Sequence, residues 1–311
     1  MIETLAAGIC ATDLELIAGW DRTGYPSIPG HEWGGRVAEV GPGVDRRWWV
    51  GRTVVADNVI TCGGCPACRR GQWNACPDSQ EVGFERPGAY GEFFLTRADH
   101  LIALPPNIPI EEAPLIEPLA VALHGMDRLG VRPGHRGVVL GDGPIGLLCV
   151  QLMSAAGAQD IILVGGHPER LALGAELGAK RCVNYHHVGQ DLPQQILAWH
   201  GGTDRVVEAS GSVRAVEQAV EFLGQTGCLL VLGDYGKDRA AIPMLRLLHK
   251  NLTLVGANAS PGTWHRAVEL AAAGMVRLGP MITHRFDRGQ FDRAIDLVRR
   301  KQDGVVKAVF V

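Results

Sequence analysis

From about residue 119 to residue 258, short apolar runs alternate with stretches whose apolar residues recur at helical spacing. The runs at 137–140, 160–164, 181–185, 204–208, 227–232 and 252–256 are too short and too β-branched for helices. They predict six strands. Between them, 144–156, 168–177, 192–199, 213–223 and 243–249 predict helices, three of which open on proline, a residue the first helical turn accepts. Strand and helix in strict alternation predict a doubly wound parallel sheet.

The pattern differs on both sides of this block. Residues 1 to about 118 carry short β-type runs at 35–40, 52–56, 91–96 and 100–104, separated by glycine and proline, which predict a partly open β-barrel. Pro105-Pro106, Pro109 and Pro114 mark the connection where that pattern ends. Residues 259–311 return to mixed character, with an amphipathic helix at 290–300 and a last strand at 305–311. The expected division is therefore 1–118 with 259–311 as one domain and 119–258 as the other.

Composition narrows the function classes. Of 311 residues, 46% are hydrophobic and 20% charged, enough apolar material for two cores. The net charge of −3, with Lys and Arg dispersed, leaves no footprint for nucleic acid or an anionic membrane. Arg46-Arg47 beside Trp48-Trp49 resembles a base-stacking patch, but its place between glycine-rich and strand-like segments predicts a solvated turn. No basic-then-apolar leader opens the chain, and the most apolar stretch, 137–158, is interrupted by Asp142, Pro144 and several glycines. These features predict a cytoplasmic protein.

Four of the eight cysteines fall within Cys62-Gly-Gly-Cys65-Pro-Ala-Cys68-Arg-Arg-Gly-Gln-Trp-Asn-Ala-Cys76. Two-residue gaps let successive thiolates turn onto one cation, and the longer gap returns a fourth ligand to close a tetrahedron. Four sulfurs with no open position describe a structural zinc site. Disulfides are the alternative, yet cysteines three apart in a tight loop pair poorly with each other. Cys149, Cys182 and Cys228 lie in predicted strands or helices and are expected in the core.

The run 137–140 leads into Gly141-Asp-Gly143-Pro144-Ile145-Gly146 and then into an apolar helix, which gives the G-x-G-x-x-G pattern its dinucleotide-binding context. Gly141 makes the tight turn, Gly143 admits the pyrophosphate and Gly146 lets the helix pack on the sheet. The phosphates would sit on the N–H groups of the helix N-terminus. The next strand should end in an acid for the ribose 2′-hydroxyl, and Gly165 stands there instead. His167 and Arg170 could attract a 2′-phosphate, or Glu169 and Arg170 could simply open a surface helix. The expectation leans to NADP over NAD.

Cys10, His31-Glu32 and Glu117-Pro118 are remote from one another and individually unremarkable. Taken with the cysteine loop and the nucleotide pattern, they resemble the zinc-dependent medium-chain alcohol and polyol dehydrogenase family along nearly the whole chain. The matching stretches are Gly8-Ile-Cys10-Ala-Thr12-Asp13, Gly30-His31-Glu32, the Cys62 to Cys76 loop, Glu117-Pro-Leu-Ala-Val-Ala-Leu-His124, the glycine loop and Leu278-Gly-Pro-Met-Ile-Thr-His284. The resemblance implies a Rossmann domain inserted in a split GroES-like catalytic domain. It implies a second, catalytic zinc held by Cys10, His31 and Glu117, the position where sorbitol- and threonine-dehydrogenase-like members carry glutamate. Glu32 would join the coordination shell or tune it. Thr12 would relay the substrate proton, and Asp13 would orient His31.

The implied reaction is hydride transfer from a secondary alcohol of a polyol, sugar or similar polar substrate to NAD(P)+, by an enzyme with two zincs per chain that assembles as a homodimer or homotetramer. Two departures stand out. Glu15 occupies a position where many members complete the proton relay with histidine. The resemblance also implies about two barrel strands before the stretch matching Leu5 to Cys10, and a barrel lacking them would expose unpaired edge groups. A non-catalytic dinucleotide-binding paralogue and a zinc-free quinone or enoyl reductase on the same scaffold are the competing expectations.

Overall fold

A computed structural model describes residues 1–20, 25–188 and 191–311. The chain forms two compact units, one of Met1–Ala120, Ala259–Gly274 and Leu278–Val311, the other of Val121–Asn258 with Met275–Arg277.

The first unit opens with β1 (Ile2–Gly8), β2 (Trp33–Val37), β3 (Thr53–Ala56), β4 (Val59–Ile60), β5 (Gln80–Glu81), β6 (Phe93–Phe94) and β7 (Leu101–Ala103). The second unit contributes β8 (Arg136–Leu140), β9 (Gln159–Gly165), β10 (Arg181–Asn184), β11 (Thr203–Glu208), β12 (Leu223–Val231) and β13 (Thr253–Gly256). The chain then returns to the first unit with β14 (Ile282–Phe286) and β15 (Lys307–Phe310).

In the first unit the sheet runs β14-β15-β1-β2-β3-β7, with β6 also paired to β1. Strand β1 is antiparallel to both β2 and β15, with Ala7 opposite Trp33 and Gly8 opposite Val309. This register brings the end of β1 and the starts of β2 and β15 to one edge of the sheet. Backbone bonds from Gly8 N–H to the Glu32 carbonyl (2.8 Å) and from Ile9 N–H to the Ala308 carbonyl (3.0 Å) extend the pairing past the strand ends. Residues 10, 31, 32 and 307 are thereby neighbours. Ile2, Trp33, Val37, Val54, Phe94 and Phe310 fill the interior behind them.

Strands β4 and β5 pair antiparallel, Val59 opposite Glu81 and Ile60 opposite Gln80, and so clamp the base of the cysteine loop. The Arg46 to Trp49 segment forms a short helix. Trp48 lies under the Arg52 guanidinium at 3.8 Å, and Trp49 packs partly against the core.

The second unit holds a six-stranded parallel sheet in the order β10-β9-β8-β11-β12-β13. Chain order reverses at β8, the topological switch point beside which such sheets bind ligands. Val138, Val139 and Leu140 of β8 are fully or nearly fully buried, as a strand covered on both faces requires. Cys149 and Cys228 are buried, but Cys182, expected in the core, is exposed. It lies on β10, the outermost strand, where Val183 takes the inward position and Cys182 faces away, its thiol donating to the Leu171 carbonyl at 3.2 Å. Among the described residues, no helix is long and apolar enough to cross a membrane.

Candidate metal centres and nucleotide loop

The cysteine loop is built by local geometry. Pro66 and Ala67 start a helical turn, Pro66–Arg69, whose N-cap is Cys65, and the Cys68 N–H donates to the Cys65 sulfur at 3.4 Å. The turn folds Cys68 back onto Cys65 (3.5 Å between sulfurs) and toward Cys62 (4.0 Å), while Cys76 reaches Cys62 at 3.6 Å. A tetrahedral zinc with bonds of about 2.3 Å sets its sulfurs ~3.8 Å apart. The four sulfurs therefore already stand at zinc-ligand spacing, all within 4.8 Å of one another. All eight cysteines are free thiols. The N–H groups of Gly64 and Cys65 hold the Cys62 thiol below its ordinary pKa, which favours the thiolate that a metal needs.

At the strand ends of the first unit, Cys10, His31 and Glu32 bring their ligand atoms within 4.8 Å of one another. Cys10 follows β1 and N-caps the helix Ala11–Ile17. His31 and Glu32 precede β2 and are buried. Thr12 lies on the same helical turn as Cys10, its Oγ1 3.6 Å from the Cys10 sulfur. Glu15 points outward and is exposed.

Asp13 joins the two segments. It is fully buried; Oδ2 accepts from the Cys10 N–H (2.9 Å) and the Tyr90 hydroxyl (3.0 Å), and Oδ1 accepts from the Gly30 N–H (3.3 Å) and lies 3.3 Å from His31 Nδ1. Burial alone would raise the Asp13 pKa, but His31, the Cys10 N–H and the Tyr90 hydroxyl hold it below the ordinary carboxylate value. Asp13 is thus an anion fixed behind the ring of His31. Asn58 adds support from β3's far end, its amide donating to the His31 carbonyl while its oxygen accepts from Trp33 Nε1 at 2.7 Å.

Glu117 opens the helix Ile116–Leu129 and stands outside the three-residue cluster. Burial pushes its carboxyl up to about 8, with the nearby His31 pulling it down and Glu32 pushing it further up. Glu32 is engaged differently: both its oxygens face Lys307 Nζ, at 2.7 and 2.6 Å, with side-chain exposures of 1% for Glu32 and 3% for Lys307.

In the second unit, Gly141 has a φ of +119° and donates its N–H to the Val164 carbonyl at 2.8 Å, turning the chain sharply between β8 and the helix Pro144–Ala155. A Cβ at Gly146 would overlap the Gly141 carbonyl oxygen, so only glycine lets the helix start this close to the turn. A Cβ on Gly143 would meet nothing within 4 Å. Gly143 is the N-cap and offers no side chain to the helix, which leaves open space in front of its first N–H groups, with Pro144 and Ile145 forming the first turn. That cradle fits a pyrophosphate.

The Asp142 side chain fills the space beside Gly165. Its Oδ2 accepts from the N–H groups of Gly166 (2.9 Å) and His167 (2.8 Å), and His167 Nδ1 lies 3.1 Å away. Arg170 is buried on the helix Pro168–Glu176, with a guanidinium nitrogen 3.9 Å from Asp142 Oδ1.

Residues 1–106 match the alcohol dehydrogenase GroES-like domain, and residues 144–273 match the zinc-binding dehydrogenase domain. Erythritol/L-threitol dehydrogenase of Mycolicibacterium smegmatis is 30% identical over 98% of this chain and 88% of its own length. L-threonine 3-dehydrogenase of Pyrococcus horikoshii is 32% identical over 100% of this chain and 90% of its own. The chain belongs to the zinc-dependent medium-chain alcohol and polyol dehydrogenase family. Among solved structures, a zinc-binding dehydrogenase of Sinorhizobium meliloti bound to NADP superposes with a TM-score of 0.93 at 30% identity, covering 100% of this chain and 91% of that one. The protein is a zinc-dependent, NAD(P)-linked alcohol oxidoreductase.

Four residues of this dehydrogenase escape a reading by motif: Tyr90, Asn58, Lys307 and Asp142. Lys307 and Asp142 did leave a signal, since each is a charge inside an apolar or glycine-rich run where a charge is costly unless paired. Tyr90 and Asn58 left none.

Proposed function

We propose that this dehydrogenase oxidises a secondary hydroxyl of a polyol, sugar or similar polar alcohol, releasing a ketone, NAD(P)H and a proton. The convergence of Cys10 and His31 at one sheet edge, with Asp13 fixed behind His31 and the buried Glu117 carboxyl near His31, carries this reading. Cys10 and His31 would hold the catalytic zinc, with Glu117 closing the set while Lys307 restrains Glu32. A mixed sulfur, nitrogen and oxygen set with an open position is the donor chemistry of a catalytic zinc. When bound, zinc supplies the Lewis acidity that makes an alcohol proton easier to lose.

The chain's own residues then have distinct tasks. Thr12, beside Cys10, would pass the substrate proton outward, and Asp13 holds His31 through Nδ1, which would leave Nε2 for the metal. The loop Gly141 to Gly146 binds the dinucleotide phosphates, and His167 and Arg170 border its adenosine end. Cys62, Cys65, Cys68 and Cys76 hold a structural zinc. Relatives named for erythritol, threitol and threonine support a polar, hydroxyl-bearing substrate. Eight free thiols support a cytoplasmic location, and we read the assembly as a homodimer or homotetramer.

The test is zinc content per chain before and after mild chelation, alongside NAD+ and NADP+ reduction on a panel of polyols. Two zincs, with turnover lost as the more labile one leaves, is the expected result. A single tightly held zinc and no turnover on any polyol would overturn the assignment.

A further inference from the structure

Gly165 ends β9, the position from which an acid ordinarily accepts the adenosine ribose 2′-hydroxyl. A Cβ placed there would overlap Cβ, Cγ and Oδ2 of Asp142. The first variable residue of the glycine loop therefore fills the volume through which a side chain at 165 would leave the strand. It fills that volume with the same functional group.

We propose that Asp142 is the residue that selects the nucleotide, standing in for the missing strand-end acid and making this dehydrogenase prefer NAD+ over NADP+. The inference rests on the NAD(P)-linked reading and goes against what Gly165 suggests by itself.

Two consequences of the geometry support it. A 2′-phosphate needs donors, and the donors that face Asp142 are the N–H groups of Gly166 and His167, the His167 ring and Arg170. The two N–H groups and the ring already face Asp142 at 2.8–3.1 Å, and the nearest Arg170 nitrogen is 3.9 Å from it. A phosphate would have to displace a buried carboxylate from its own partners or accept its repulsion. A 2′-hydroxyl needs an acceptor instead, and Oδ1 supplies one, since its contacts with His167 Nδ1 (3.3 Å) and Arg170 (3.9 Å) are the long ones of the group. His167 and Arg170, which in isolation would attract a phosphate, face the carboxylate that excludes it.

The experiment is direct titration of the zinc-loaded, full-length protein with NAD+ and with NADP+, by calorimetry, on wild type, Asp142→Asn and the exchange Asp142→Gly with Gly165→Asp. Wild type should bind NAD+ at least ~10-fold more tightly than NADP+, a ratio that one charge–charge repulsion with the 2′-phosphate readily supplies. Asp142→Asn keeps an acceptor for the turn but removes the charge, and should shift the ratio ~10-fold or more toward NADP+. The exchange variant returns the carboxylate to the strand end and should restore the preference for NAD+. It also tests the idea if Asp142→Asn folds poorly. Equal weakening of both nucleotides, or a wild-type preference for NADP+, overturns the proposal and leaves Asp142 as a cap on the turn. Failure of wild type to bind either nucleotide overturns the NAD(P)-linked reading and this inference with it.

Discussion

Lys307 and Glu32, 275 residues apart, form a buried ion pair in which one ammonium faces both carboxylate oxygens at 2.6 and 2.7 Å. Lys307 also donates to the Ile9 carbonyl at 3.2 Å, so it ties the end of β1 to the segment that carries His31. Glu32 holds its ammonium above the ordinary lysine pKa despite burial, which would lower it. Replacing Lys307 by Met leaves a carboxylate buried and unpaired, and urea denaturation should report a loss of about 3–5 kcal/mol. The double variant Lys307→Met with Glu32→Gln removes the stranded charge and should recover most of that stability. Recovery absent in the double variant would show that the pair is not the source of the loss.

In the proposed catalytic site, Asp13 would act on zinc through His31 and the Cys10 backbone. Asp13→Asn keeps an oxygen for one N–H but loses the charge behind the ring, so zinc affinity at the proposed Cys10, His31 and Glu117 site should fall about 10–100-fold. Competition with a fluorescent chelator measures this, and the zinc held by the four cysteines should be unaffected. Tyr90→Phe removes one hydrogen bond to the same carboxylate and should cost about 1 kcal/mol or less.

The cysteine loop makes a separate prediction. Cys68→Ser removes one of the two buried sulfurs of the proposed tetrahedron, so metal analysis should find one zinc fewer per chain and thermal denaturation a lower midpoint. Nucleotide affinity should be unchanged, because none of the residues of the glycine loop belongs to that unit. A variant that keeps its full zinc content would remove Cys68 from the ligand set.

Asp57 gives stability a pH dependence. Burial raises its carboxyl from 3.8 to about 6, against the pull of the Val59 N–H. The native state therefore keeps a proton that the unfolded chain releases, and stability falls as pH rises from about 4 to about 6 and stays lowered above that range. Asp57→Asn retains an oxygen for the Val59 N–H, 3.0 Å away, and removes the charge. It should raise stability at pH 8 by up to about 3 kcal/mol and leave it nearly unchanged at pH 4, as read from urea midpoints at the two pH values.

What the sequence by itself determined lies within single segments. Apolar runs and helical periodicity between residues 119 and 258 locate six parallel strands, because buried strands must be apolar wherever they fold. The C-x2-C-x2-C spacing and the G-x-G-x-x-G turn are likewise legible, since their geometry follows from a few adjacent dihedral angles. The exposure of Cys182 was not legible, because an edge strand and a central strand read alike. Tertiary structure alone decided the contacts made across strands. The antiparallel register of β1 with β2 and β15 sets Lys307 against Glu32, and the packing of residues 88–91 against the β1 end sets Tyr90 against Asp13. The parallel pairing of β8 with β9 sets Asp142 into the space beside Gly165. In each case the partner is chosen by which strand ends the fold brings to one edge, and no local pattern encodes that choice.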